Sequence, residues 1–136
     1  HDKGTTAPYG NIDQPFDICN LAQAAGATYV ARSTVFHAKK LSQYVEKALL
    51  KKGFSLVEAI SSCPTYYGRK NKKGSAVHMM NFLKYRAVPR SRFQSLSLEE
   101  QEEHVETGEF IDRSAPEYTE SYQKIIDFVQ GREETK

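Results

Sequence analysis

The sequence predicts an α/β fold built around one strand–helix–strand unit, with a helical C-terminal extension. Three observations carry that expectation. The segments "ATYVARS" (27–33) and "FSLVEAI" (54–60) are short, rich in β-branched and aromatic residues, and each is preceded by a glycine. Between them, "HAKKLSQYVEKALLKKG" places Ala38, Leu41, Val45 and Ala48 on one helical face, joined by Tyr44 and Leu49. A helix of about 15 residues between two strands has the length of a βαβ crossover, which sets the strands parallel and the connection right-handed.

The flanking elements follow from local chemistry. Residues 1–15 hold Gly4, Pro8, Gly10, Asn11, Asp13 and Pro15, so they read as an opening loop. A first helix over 16–25 aligns Ile18, Leu21, Ala22 and Ala25, and Gly26 suits a left-handed stop. In the central helix Lys51 and Lys52 complement the negative end of the dipole before Gly53 closes it. The strand over 54–60 is mostly apolar, as in a sheet covered on both faces. A third helix is expected over 75–86, with Val77, Met80, Leu83 and Ala87 on one side. Residues 87–96 read as irregular and basic. Ser97 with Glu100 has the spacing of a capping box and opens a short acidic helix. A last helix over 116–130 carries Tyr118, Tyr122, Ile125, Ile126 and Val129 in one stripe, and Gly131 follows.

Only two strands are expected, and both read as buried. Two strands do not make a doubly covered parallel sheet, so the sheet is incomplete in this chain. It is a piece of a larger α/β domain, or it completes its sheet with a partner. The organisation predicted is an opening loop (1–15), an α/β segment (16–86) and an acidic helical extension (87–136).

Composition narrows the function classes. The chain has 136 residues, 39% hydrophobic and 26% charged, which is ordinary globular material for one domain or part of one. No apolar run reaches the roughly 20 residues of a membrane span, and no signal-peptide pattern is present, so no membrane partner and a cytoplasmic location are expected. The first residue is His1 rather than Met, so a processing or cloning boundary is expected there. The formal net charge is +2, but it is unevenly distributed. Residues 39–92 hold thirteen Lys/Arg and two Glu, a net of +11, and residues 93–136 hold twelve Asp/Glu and four Lys/Arg, a net of −8. Either the tail lies on the basic middle or the middle attracts an acidic partner.

The stretch "SSCPTYYGRKN" (61–71) leaves the carboxyl end of the second strand, where α/β sheets place ligands. Pro64 stiffens the exit and fixes the direction of Cys63. The amides from Thr65 onward can face an anionic ligand, and Arg69, Lys70, Lys72 and Lys73 would favour thiolate over thiol. An inert turn cysteine is the competing reading. Cys19, beside Ile18 on the first helix, reads as a core thiol. With no CxxC, the chain cannot build a four-sulfur site by itself. His1, His37, His78 and His104 show no metal-ligand spacing, and no nucleotide-binding or hydrolase motif occurs. No catalytic residue is assigned. Tyr66 and Tyr67 among the loop cations also permit a small interaction module that binds nucleic acid or another partner.

"TTAPYGNIDQPFDICNLAQAAGATYVAR" and "KKGFSLVEAISSCPTYYGRKN" resemble the beta subunit of 2-oxoacid:ferredoxin oxidoreductases, and the "CPTYYGR" form is most similar to the 2-oxoglutarate branch. The resemblance covers residues 4–86 closely and the tail "VETGEFIDRSAPEYTESYQKII" more loosely. It implies a thiamine diphosphate-binding fold and an enzyme that oxidatively decarboxylates a 2-oxoacid to its acyl-coenzyme A. It also implies a thiamine diphosphate and Mg²⁺ site, a [4Fe–4S] cluster, an alpha subunit, and ferredoxin as electron acceptor; no nucleic acid is expected. The family's diphosphate motif and three of its cluster cysteines precede the matched region. Cys63 falls at the fourth cluster cysteine. The resemblance thus implies the C-terminal half of a beta subunit, inactive alone, partnered by the rest of that subunit and binding no cofactor tightly.

Overall fold

Strand β1 (Tyr29–Thr34) buries all six of its residues and bonds to a neighbour on each edge. The computed structural model describes residues 2–131. On one edge β1 runs parallel to β2 (Ser55–Ile60), in register from Tyr29↔Ser55 to Thr34↔Ile60. The helix between them, α2 (Ala38–Leu50), is entered through a 3₁₀ turn at Val35–His37. The expected βαβ unit is therefore present with parallel strands. Gly53 closes α2 at φ +94, and a Cβ there would meet Thr28 Cγ2 at 2.6 Å, so the position requires glycine on two counts. Thr28 uses the same approach to donate its hydroxyl to the Lys52 and Phe54 carbonyls.

The sheet has four strands, in the order β2-β1-β4-β3, where β3 is Ala87–Pro89 and β4 is Val105–Asp112. The two-strand expectation is corrected here. β4 runs antiparallel to β1 and shifts register at Val30/Ala31, and β3 pairs parallel to β4. The acidic tail thus contributes a central strand between its helices. Its carboxylates concealed it. Glu106 pairs with Arg90, while Glu109 and Asp112 take Lys47 of α2 at 3.0 and 2.6 Å. Lys51 joins Asp112, Lys52 joins Glu120, and the Tyr29 hydroxyl donates to Glu109 at 3.0 Å. Arg113 extends the seam by donating to the Ala27 and Gly26 carbonyls. The basic middle and acidic tail therefore neutralise one another along α2.

The helices match the sequence expectation in place, with shifts in which face is buried. Helix α1 (Ile18–Ala24) is capped by Asp17, whose carboxylate accepts from the Asn20 amide, and Gly26 follows at φ +95. Helix α3 (Ala76–Arg86) is capped by Ser75 and buries Met79 and Leu83, not Val77 and Met80. Residues expected to be irregular form β3 and the short α4 (Arg90–Phe93). The capping box at Ser97 and Glu100 is formed at the start of α5 (Leu98–Glu103). Helix α6 (Tyr118–Val129) closes the described chain. β2 is less buried than its apolar sequence implied, because it is an edge strand.

Two small cores lie on opposite faces of β1. Val30 packs with Cys19, Ala22, Ala27 and Phe110 on the α1 side, and Tyr29 and Ala31 pack with Tyr44 on the α2 side. The α1 side also holds a charge. Arg32 reaches Glu58 at 2.6 Å and Asp17 at 2.8 Å, and lies 5.0 Å over the Phe110 ring. Cys19 donates its thiol to the same Glu58 carboxylate at 3.2 Å, and burial pushes that thiol up to about 12. Burial raises the Asp17 carboxyl, but the Asn20 amide and Arg32 outweigh it and hold it below the ordinary carboxylate value. Its stabilising contribution is thus complete at neutral pH and fades as acid protonates the folded carboxylate.

Glu58→Gln leaves Arg32 one charged partner and removes the Cys19 acceptor charge. Since Glu58 is partly solvated, the expected loss of stability is about 1–3 kcal/mol, read from the urea midpoint. An unchanged midpoint would show that the guanidinium does not depend on Glu58.

Candidate functional site

β2 ends at Ile60, and the chain turns through Ser61, Ser62 and Cys63 into a single helical turn, Pro64–Gly68. Pro64 needs no amide partner at this position, which makes it a suitable first residue. Cys63 takes an extended backbone (φ −109, ψ 91) and is exposed. The Tyr67 and Tyr66 amides, and then the Thr65 hydroxyl at 3.8 Å, draw the Cys63 thiol below its ordinary value. The sequence reading attributed thiolate stability to the loop cations. The structure assigns it to the amides at the start of the turn, which are fixed partial charges.

Behind the turn, packing is tight. Gly68 is buried, and a Cβ on it would occupy the place of the Met79 thioether. The Gly68 amide bonds back to the Cys63 carbonyl at 2.9 Å, and the Lys73 amide bonds to the Gly68 carbonyl at 2.8 Å.

In front, the opening loop is tied onto the same turn. Asn71 accepts from the Lys3 amide at 2.7 Å and donates to the Lys3 carbonyl at 3.0 Å. Lys70 donates to the Gly4 carbonyl, Lys73 pairs with Asp2 at 2.8 Å, and the Tyr66 and Tyr67 hydroxyls bond Thr5 and Asp2. Lys70 lies over Tyr66 and Lys73 over Tyr67. Two of the four loop cations and both tyrosines therefore hold residues 2–5 against the turn. Composition gave no sign of this clasp, because an asparagine bonding a distant backbone has no periodicity.

A groove of about 770 Å³ opens beside Cys63. The ends of β1 and β2 supply Thr34 and Ile60, α3 supplies His78, Met79, Phe82, Leu83 and Arg86, and the loop supplies Tyr67, Lys72 and Lys73. It lies at the carboxyl ends of two parallel strands, where open α/β sheets hold ligands. Among the described residues no three His, Cys, Asp or Glu side chains converge as a metal site. Cys63 can therefore donate one thiolate to a shared centre but cannot hold a metal with its own neighbours. Cys19 is fully buried, bonded to Glu58, and does not line this groove.

Comparison with known proteins bears on what such a turn serves. Residues 1–59 match the family described as "Thiamine pyrophosphate enzyme, C-terminal TPP binding domain". The 2-oxoglutarate synthase subunit KorB of Methanothermobacter thermautotrophicus is 44% identical over 95% of the chain and 45% of its own length. That of Methanocaldococcus jannaschii is 43% identical over 92% of the chain and 46% of its length. The chain is homologous to the C-terminal half of these subunits. It spans slightly less than half the length of the curated relatives it matches. In three dimensions it resembles a 2-oxoglutarate:ferredoxin oxidoreductase from Magnetococcus marinus, solved with 2-oxoglutarate, coenzyme A and succinyl-CoA bound. The TM-score is 0.73 at 21% identity, over 94% of this chain and 44% of that one, which establishes a shared fold. The expected α/β fold is thus present, and residues 1–59 of it match that thiamine pyrophosphate enzyme domain.

Proposed function

We propose that the chain is the C-terminal part of the beta subunit of a cytoplasmic thiamine diphosphate-dependent 2-oxoacid:ferredoxin oxidoreductase, with 2-oxoglutarate as substrate. Such an enzyme oxidatively decarboxylates the 2-oxoacid, forms the acyl-coenzyme A and passes two electrons to ferredoxin. The observation that carries the reading is the exposed Cys63 thiol facing the Tyr66 and Tyr67 amides at the end of β2. An anionic sulfur held by amides is suited to a cluster ligand, because hydrogen bonds to sulfur tune cluster potential.

The chain's residues fit one part of the cofactor set. Cys63 would supply one thiolate to a [4Fe–4S] cluster, and the remaining three, with the diphosphate and Mg²⁺ ligands, belong to the other part of the subunit. When bound, thiamine diphosphate supplies the carbanion chemistry of decarboxylation and the cluster carries electrons. Residues 2–5, Asn71 and Gly68 hold the turn so that the thiolate keeps its direction. The groove beside it is largely apolar on its α3 side, where Met79, Phe82 and Leu83 line it.

The reading also gives the free loop cations a role. Among the described residues no carboxylate pairs with Arg69, Lys70 or Lys72, and the tail carboxylates that form ion pairs meet Lys47, Lys51, Lys52 and Arg90 instead. This weighs against the tail covering the loop. A positive rim near the cluster ligand would steer an acidic acceptor such as ferredoxin, mainly by raising the association rate. One face of each loop tyrosine is already covered by a lysine, which weighs against base stacking and hence against a nucleic-acid module.

Two outcomes are expected in the complete enzyme with its alpha subunit. Cys63→Ser loses most of the visible cluster absorbance, while Cys19→Ser retains it. Full four-iron absorbance in both variants would remove Cys63 from the ligand set. Replacing Arg69 and Lys72 together by Gln lowers the ferredoxin association rate several-fold at low salt and flattens its dependence on ionic strength. An unchanged rate and slope would mean that the rim is simply solvated.

A further inference from the structure

The carboxyl end of β1 borders two cavities, because successive strand residues face opposite sides. Thr34 lines the Cys63 groove, and Ser33 lines a separate pocket of about 380 Å³. That second pocket gathers Ser33, His37, Lys40, Arg90, Ser91 and Thr107, and no carboxylate lines it.

Three observations give the pocket a chemistry. The first is the start of α2. His37 occupies the N-cap position without a side-chain capping bond, no acid stands in the first turn, and Lys39 and Lys40 stand there instead. Cations at a helix amino end oppose the dipole. An anion beside them would relieve that conflict. The second is Ser33, which is 2% exposed, lines the pocket and makes no hydrogen bond through its hydroxyl to another described residue. The third is Arg90. Glu106 holds its guanidinium at 3.0 Å, and the group lies 4.7 Å over the Phe110 ring. The guanidinium is fixed in place with N–H groups to spare. His37 is likewise oriented, its Nδ1 bonded to the Thr34 hydroxyl at 2.9 Å.

We propose that this pocket binds the phosphoryl group of a small molecule. Donors reach it from β1, from the start of α2 and from α4, an arrangement that suits a tetrahedral oxyanion better than a planar carboxylate. The volume exceeds that of phosphate alone, which leaves room for the rest of the molecule. The site stands on the opposite face of β1 from Cys63, so it is independent of the cluster-ligand reading.

Calorimetry on the complete protein that carries this chain tests the proposal, with inorganic phosphate as probe and succinate as the carboxylate comparison. Lys40 and Ser91 are exposed, so Lys40→Gln and Ser91→Ala leave the fold intact. The expected result is phosphate binding that Lys40→Gln weakens by about tenfold, the effect of one charge-assisted hydrogen bond. Ser91→Ala should weaken it less, and Lys124→Gln on α6 should leave it unchanged. Phosphate affinity equal in the wild type and Lys40→Gln overturns the site. So does an equal loss in Lys124→Gln, which would mark a non-specific charge effect. Succinate binding as tight as phosphate overturns the phosphoryl assignment.

Discussion

The structure depends on β1 being hydrogen-bonded along both edges while every one of its side chains is covered. A strand in that position cannot slip by one residue without turning Val30 and Arg32 into the α2 core and Tyr29 and Ala31 into the α1 core. Its register therefore fixes the rest. β2 ends where β1 ends, so the Cys63 turn begins level with Thr34. The next alternation delivers Ser33 and Thr34 to cavities on opposite faces.

Charge is the second organising influence, and it works inside the molecule more than outside it. Arg32 is buried beside Cys19 and Phe110 and is tolerable there because Glu58 and Asp17 both reach it. The tail's carboxylates meet α2's lysines across a partly solvated seam. Each such pair is weak alone because solvent screens it, but the shared partners Lys47, Asp112 and Glu109 make a network that locates β4. What is left over is then informative. Arg69 and Lys72 beside the exposed thiol, and Lys39 and Lys40 at the start of α2, carry positive charge that no described carboxylate balances.

The sequence made the βαβ unit legible because β1, α2 and β2 follow their periods without interruption. β4 escaped for a physical reason: "VETGEFID" spaces its carboxylates three residues apart rather than two, the lysine partners of Glu109 and Asp112 lie some sixty residues earlier, and Gly108 interrupts the pattern beside a register shift. The buried face of α3 was misjudged because Val77, Met80 and Phe82 are apolar yet exposed, so periodicity offered two faces. Cys63 was legible as a candidate from its place after a strand and before proline. The cause of its low thiol pKa was not, since backbone amides carry no sequence signature. The cations at the start of α2 were visible in the sequence as a broken helix rule, and they gained meaning only with Ser33 and Arg90 beside them.

The account rests on amides, and not cations, lowering the Cys63 thiol below its ordinary value. Titrating ultraviolet thiolate absorbance in the cluster-free chain tests this directly, because burial pushes Cys19 up to about 12 and out of the range. The account predicts a Cys63 midpoint below the ordinary thiol value of about 8.5. It also predicts that Thr65→Val raises the midpoint while Gln at Arg69 and Lys72 moves it little. A midpoint at or above the ordinary value, or one that follows the cations and ignores Thr65, would contradict it.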